Sequence, residues 1–191
     1  MARVAYARRV ITIAQSFRTG RTLWFAIVVS TTLFLAMLQY LRVTGAAPHA
    51  QVPPGMVFVL ALVAVGTATA SVLVPTRVLA ARVRRLEIKV VDEIGEPVGS
   101  FRESAPVRRV VADPESAVRA ALAPYQSTLV LGLALAESVA LYGFMLGYLG
   151  APAPVFLPFF VVSWALMATK IPKPERVTRV IASVTGAECR L

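Results

Sequence analysis

Four long apolar runs, separated by polar or basic stretches, dominate the hydropathy pattern of this chain. They are Thr22–Leu41, Met56–Val74, Tyr125–Leu149 and Val155–Thr169. The first three come close to or exceed the ~20 apolar residues that a helix needs to cross ~30 Å of hydrocarbon. The fourth is shorter, but Pro152 and Lys170 can lie at the two interfaces. We therefore predict an all-α integral membrane protein with four transmembrane helices.

Both ends of the chain have amphipathic patterns. In residues 1–20, apolar side chains recur on adjacent helical turns beside arginines, and we expect Gly20 to end this helix before the first span. In residues 171–191, apolar side chains recur at helical spacing at Val177, Val180, Ile181 and Val184. A basic helix with one apolar face is typical of a membrane interface. Packing against a neighbouring subunit is the alternative for either segment.

The segment 76–124 is the one stretch predicted to form a small subdomain outside the membrane. Alternating apolar residues predict a strand at 86–90, turn residues follow at 92–97, and 98–102 and 107–111 are the candidates for a second and a third strand. Asp113, Pro114 and Glu115 have the order of a helix N-terminus: a capping residue, a proline at the first position and an acid in the first turn. This helix is expected to break at Pro124.

These patterns divide the chain into five predicted segments. They are an amphipathic helix at 1–20, two spans at 21–75, a loop subdomain at 76–124, two spans at 125–170 and an amphipathic tail at 171–191. A unit of two or three strands is marginally stable alone, so we expect the loop subdomain to pack on the membrane or on a partner.

The composition excludes an ordinary soluble domain, because 57% of the residues are hydrophobic and only 16% are charged. The net charge of +10 does not indicate nucleic-acid binding. Nineteen of the twenty basic residues lie before the first span, between the second and third, or after the fourth, and only Arg42 lies on the other side. This is the positive-inside pattern, and it predicts cytoplasmic termini in the inner membrane of a bacterium-like cell.

Candidate metal and catalytic chemistry is sparse. His49 is the sole histidine and Cys189 the sole cysteine, so no zinc-ligand cluster and no intrachain disulfide is expected. No cofactor is predicted. The loop subdomain contains no glycine-rich phosphate-binding motif and no catalytic pair, so we predict that the protein is not an enzyme.

Glu137 is the only acidic residue in the four apolar runs, and it lies near the middle of the third. A carboxylate that faces lipid costs at least ~2.5 kcal/mol, so such a residue normally faces protein or a water path. One interpretation is a site that binds a proton or a monovalent cation. The other is a protonated glutamate that only joins two helices through a hydrogen bond.

Small residues surround Glu137 and favour close helix packing. On the third span they are Gly132, Ala136, Ala140, Gly143 and Gly147, spaced three or four apart. The second span has its own small patch, which includes Gly66 and Ala70. Small faces let membrane helices approach closely, so a tight hairpin of the second and third spans is predicted. Close packing would favour the protonated form of Glu137.

The third span also resembles a known helix. The segment Gly132-Leu-Ala-Leu-Ala-Glu-Ser-Val-Ala-Leu-Tyr-Gly143 is similar to the carboxylate helix of the c subunit, the membrane proteolipid, of rotary ATP synthases. In that family a Glu or Asp on the second helix of a hairpin binds the transported proton or sodium ion. Sodium-binding members place Ser directly after the Glu and Tyr five residues after it. The resemblance implies that Glu137, Ser138 and Tyr142 form the ion site.

The function predicted from sequence is a c-like membrane proteolipid subunit whose buried carboxylate couples ion binding to assembly or movement. It would be a homo-oligomer or a subunit of a larger membrane complex. The alternative is an accessory or scaffold subunit in which Glu137 makes one fixed bond. A membrane enzyme is disfavoured because a lone carboxylate is not a catalytic constellation. An ion-coupled transporter is disfavoured because no inverted repeat is evident.

Overall fold

The computed structural model describes residues 2–46, 52–94 and 107–189. The chain is mostly helical. Its elements, in order, are α1 (Ala2–Val43), α2 (Pro54–Arg84), β1 (Val90–Ile94), β2 (Val107–Val111), α3 (Pro114–Tyr148), α4 (Ala153–Ala168) and α5 (Pro174–Thr185). The predicted strand at 98–102 lies outside the described residues.

The chain forms two compact units. The span unit consists of Arg18–Thr76 and Leu129–Pro172. The sheet unit consists of the described parts of Met1–Phe17, Arg77–Thr128 and Lys173–Leu191.

Among the described residues, three helices are long and apolar enough to cross a membrane: Gln15–Val43, Pro54–Arg84 and Pro114–Tyr148. They confirm the first three predicted spans as helices. The fourth, α4, is apolar but has 16 residues, which at ~1.5 Å per residue is shorter than the ~30 Å of hydrocarbon. Three of the four predicted spans are therefore helices that are long and apolar enough to cross a membrane, and length alone does not establish the fourth.

Two predicted helix ends are wrong. Helix α1 continues through Gly20, and α3 continues through Pro124. A glycine inside a helix costs about 1 kcal/mol relative to alanine, which does not by itself end a helix. Proline costs more, about 3 kcal/mol. Around Pro124, however, Ala121 and Tyr125 are buried in the core of the sheet unit, and their burial offsets that cost.

The start of α3 follows the prediction. The helix begins at Pro114, and the backbone N–H of Ser116 donates to Asp113 Oδ1 at 3.1 Å. Asp113 therefore satisfies one of the amides that the first turn of a helix leaves without a partner.

Within the residues that the structure describes, the sheet has two antiparallel strands, with Val90 opposite Val111 and Asp92 opposite Arg109. The predicted strand at 107–111 is confirmed as β2. Of the stretch predicted as a turn, residues 92–94 belong to strand β1 instead. The strand predicted at 86–90 is wrong except at Val90, because the N–H of Ile88 donates to Leu86 O at 2.9 Å in a tight turn. The alternation of Leu86 and Ile88 instead reflects packing, since both lie against the core of the sheet unit.

The sheet unit has a well-defined apolar core to which distant parts of the chain contribute. Its buried members are Phe17, Leu79, Val83, Val111, Ala117, Val118, Ala121, Leu122, Tyr125, Val177, Ile181 and Ala187. Helix α5 contributes Val177 and Ile181, so this part of its apolar face packs within the chain. The predicted need for support is thus met by helices of the same unit.

The C-terminal segment extends the sheet. After α5 ends at Gly186, which has φ +67°, the N–H of Glu188 donates to Arg109 O at 2.8 Å. The N–H of Val111 donates to Glu188 O at 3.1 Å, and Val110 and Glu188 form a parallel bridge. These bonds satisfy the free edge of β2, which would otherwise expose unpaired backbone groups.

The span unit has two buried clusters. One contains Leu38, Ala140, Leu146, Ala151, Phe156 and Phe160, and the other contains Leu129, Leu133, Ala136 and Met167. Side chains of α1, including Trp24 and Phe34, pack against them. Helices α1, α3 and α4 are therefore held together by apolar contacts on both sides of Glu137 along α3.

Candidate functional site

Glu137 is half-buried on α3, and its carboxylate accepts a hydrogen bond from α1. The hydroxyl of Ser30 donates to Glu137 Oε1 at 3.0 Å. Ser30 and Glu137 each lie near the middle of their apolar segments, Gln15–Val43 and Tyr125–Leu149. A hydroxyl can donate to a carboxyl oxygen whether that carboxyl is charged or protonated. The bond is therefore compatible with both protonation states of Glu137.

Sequence reasoning missed Ser30. Three hydroxyl residues occur in a row in the first apolar run, Ser30, Thr31 and Thr32. The two threonines donate to carbonyls of their own helix, Ile27 O at 3.0 Å and Val28 O at 2.9 Å. Of the three, only Ser30 donates its hydroxyl to Glu137. The sequence does place Ser30 near the middle of the first apolar run, as it places Glu137 near the middle of the third. It does not show, however, that α1 faces α3.

Ser138 and Tyr142 make other bonds. Ser138 Oγ donates to Ala134 O, one turn back on α3, at 2.9 Å. The Tyr142 hydroxyl lies 3.5 Å from Thr67 Oγ of α2, and either atom can be the donor. Among the described residues, neither side chain has a hydrogen bond to Glu137. The three residues that the c-subunit resemblance brings into one ion site are thus not joined by hydrogen bonds in the single chain.

The small residues of α3 lie mainly against α4. Ser163 Oγ donates to Ala136 O at 2.7 Å, and both residues are buried. A Cβ added at Gly143 would lie 2.7 Å from Phe159 Cβ and 2.9 Å from Phe156 O. At Gly147 an added Cβ would meet Leu38 of α1. Close approach at Gly143 is therefore an α3–α4 contact.

The contact between α2 and α3 includes Gly132 but not Gly66. Ser71 Oγ donates to Gly132 O at 3.4 Å, and Pro75 Cγ lies 3.1 Å from a Cβ built on Gly132. Gly66, by contrast, has no described atom within 4 Å of its Cβ position, and Ala70 is only partly buried. The packing predicted at Gly66 is not seen within the chain, because that side of α2 faces outward.

The surface of the span unit is strongly apolar. Large side chains that are more than half exposed include Phe25, Leu33, Phe58, Leu62 and Val65. A soluble protein rarely leaves so many bulky apolar groups in water, whereas lipid or a partner helix would cover them. An apolar cavity of about 240 Å³, lined by side chains of α2, α3 and α4, opens on this surface. Its lining includes Ala64, Val139 and Phe159.

In the described part of the chain, neither a metal site nor an ion pair accompanies Glu137. Within residues 2–46, 52–94 and 107–189, no three His, Cys, Asp or Glu residues are grouped to hold a metal ion. Glu137 has no described basic side chain within ion-pair distance. What the arrangement can do chemically is bind and release a proton at a carboxyl group that one hydroxyl holds in place.

Comparisons with protein-family models, with curated proteins and with solved structures found no match. The resemblance to the c subunit therefore stays a prediction that rests on the residues of α3.

Proposed function

We propose that this chain is an integral membrane subunit in which Glu137 binds and releases a proton, and that this protonation is coupled to contact with other subunits. The observation that carries the proposal is the 3.0 Å bond from Ser30 to Glu137 between two apolar helices. A carboxyl at this depth is costly and is usually functional. Because Glu137 is only half-buried in the single chain, a partner helix can reach it.

The topology of the proposal has four crossings, with both termini and the loop subdomain in the cytoplasm. Phe17, Val83, Val118 and Val177 share the core of the sheet unit. Three parts of the chain therefore meet in the sheet unit: the part before the crossing of α1, the part between the crossings of α2 and α3, and the part after α4. Only an even number of crossings brings the chain back each time, so α4 completes the fourth crossing despite its length. The positive-inside pattern places this shared side in the cytoplasm.

The c-like character of the subunit is the finer part of the proposal. Helix α3 supplies the carboxylate, and the outward faces of α1 and α2 supply apolar surface for neighbouring copies or other subunits. A proton fits the site better than sodium does, because Ser138 and Tyr142 make bonds elsewhere. Sodium would need several oxygen ligands around the carboxylate.

A second candidate, the scaffold subunit, is favoured by the same hydrogen bond. If the Ser30–Glu137 contact only joins α1 to α3, a neutral amide would serve equally well. Glutamine keeps an oxygen that accepts from Ser30. Glu137→Gln therefore separates the two functions, because it keeps the bond and removes the proton site.

The test is purification of the parent and Glu137→Gln proteins from native membrane in a mild detergent at pH 5 and pH 8, with mass measurement and class-averaged images. We expect the parent to form a ring or a defined complex whose mass or stability changes with pH, and the variant to lose that pH dependence. Single chains at both pH values would refute coupling to other subunits. An identical pH response in Glu137→Gln would support the scaffold.

A further inference from the structure

Helix α2 contains a proline that leaves one backbone carbonyl without its helical partner. Pro75 has no N–H, so the carbonyl of Ser71, four residues earlier, cannot receive the usual helical bond. An unsatisfied carbonyl inside a membrane costs several kcal/mol, and proline is tolerated there when a neighbouring group bonds to the freed oxygen.

Lys170 supplies a bond to that carbonyl. Its Nζ donates to Ser71 O at 2.7 Å, although the two residues are 99 positions apart in the chain. The side chain is 8% exposed, so its ammonium group lies within the span unit and not at the surface. Burying an ammonium group is costly unless it has hydrogen-bond acceptors. The carbonyl oxygen freed by the proline is such an acceptor, and its bond to a charged donor is strong.

Gly132 makes the geometry possible. A Cβ at this position would lie 3.1 Å from Pro75 Cγ and 3.4 Å from both Cδ and Cε of Lys170. The absence of a side chain on α3 thus leaves room for the proline ring and for the lysine stem at the same level. Ser71 Oγ donates to Gly132 O at 3.4 Å, which ties α2 to α3 at this point.

Helix α1 also forms a hydrogen bond to the end of α4. Trp24 Nε1 of α1 donates to Met167 O at 2.8 Å, one turn before Lys170. We infer that Lys170 is a latch: its ammonium replaces the hydrogen bond that Pro75 removes from α2, and it thereby fixes α2, α3 and the end of α4 in one arrangement. Releasing the latch leaves a hinge in α2 at Ser71–Pro75. This inference is independent of the function proposed for Glu137.

The test is a double-mutant cycle between Lys170→Met and Pro75→Ala, read as the melting temperature of the purified full chain in detergent. Methionine keeps the length of the lysine stem and removes the donor. A hydrogen bond from a charged group contributes ~1.5–3 kcal/mol, so Lys170→Met should lower the melting temperature by about 3–10 °C. Replacing Pro75 with alanine restores a backbone N–H for Ser71 O, so in the Pro75→Ala background Lys170→Met should cost less than half as much.

The matched control is Lys173→Met, which removes an exposed lysine three residues further on and should change the melting temperature little. Trp24 gives a local signal in a Trp164→Phe background. Lys170→Met should shift its fluorescence emission, and Lys173→Met should not. An equal loss from Lys170→Met in the parent and in the Pro75→Ala variant would overturn the latch.

Gly132→Ala provides a second cycle if Lys170→Met yields no folded protein. Its Cβ would press on Pro75 Cγ and on the lysine stem, so the variant should melt lower than the parent. Removing the proline ring with Pro75→Ala should restore part of the loss. No recovery in the double variant would contradict the placement of Pro75 and Lys170 against Gly132.

Discussion

Gly143→Ala tests the α3–α4 contact with the smallest possible change. A methyl group at this position would lie 2.7 Å from Phe159 Cβ and 2.9 Å from the backbone oxygen of Phe156. Carbon atoms prefer separations of ~3.5–4.0 Å, so the helices would have to move apart by close to ~1 Å. The obstacle is a Cβ and a backbone atom, and neither can rotate away.

The expected size of the effect follows from two opposing contributions. Overpacking costs about 1–3 kcal/mol, and replacing glycine with alanine inside a helix returns about 0.8–1.0 kcal/mol. The net loss of up to about 2 kcal/mol should lower the melting temperature by up to roughly 8 °C for a chain of this size. The assay is thermal unfolding of the purified protein in detergent, followed by tryptophan fluorescence.

Gly66→Ala is the matched control, because it makes the same chemical change on α2 where no described atom lies within 4 Å of the new methyl group. It should leave the melting temperature unchanged or raise it by a few degrees. Equal melting temperatures for Gly143→Ala and Gly66→Ala would refute the close α3–α4 approach. A larger loss at Gly66 would show that a neighbouring copy covers that face.

Three further predictions concern the sheet unit. Asp113→Ala should lower its stability by about 0.5–2 kcal/mol through loss of the N-cap bond to Ser116, measured as a fall in melting temperature. Ile181→Ala should cost about 2–5 kcal/mol because Ile181 is fully buried, whereas Ser183→Ala on the exposed side of α5 should cost little; equal losses would contradict the packing of α5. Burial raises the pKa of the Cys189 thiol, so less thiolate is present at a given pH, and its alkylation at pH 8 should be slower than that of an unfolded reference peptide.

Local features were the most predictable from sequence. The N-cap at Asp113 and the strand at Val107–Val111 depend on neighbouring residues, and both are found where the pattern places them. The helix ends expected at Gly20 and Pro124 failed for the opposite reason. Glycine and proline weaken a helix locally, but tertiary packing decides whether it continues.

The partner of Glu137 could not be read from the chain. Ser30 and Glu137 are 107 residues apart, and their pairing depends on which face α1 presents to α3. Hydropathy identifies apolar helices but does not orient them about their axes when apolar residues surround each helix. For the same reason the role of Lys170 could not be predicted. Its position in the sequence suggested the membrane interface, but its ammonium group is buried and donates to a backbone carbonyl of α2.

The most direct test of the central claim is reaction of the protein in membranes with a hydrophobic carbodiimide, which modifies protonated carboxyl groups in the bilayer, followed by peptide mass spectrometry. We predict one adduct, on Glu137, that forms faster at pH 6 than at pH 8. It should be lost in Glu137→Gln and unaffected by Glu175→Gln, which removes an exposed carboxylate on α5. Failure to label Glu137 at any pH, or an adduct that persists in Glu137→Gln, would contradict a proton-binding carboxyl in the span unit.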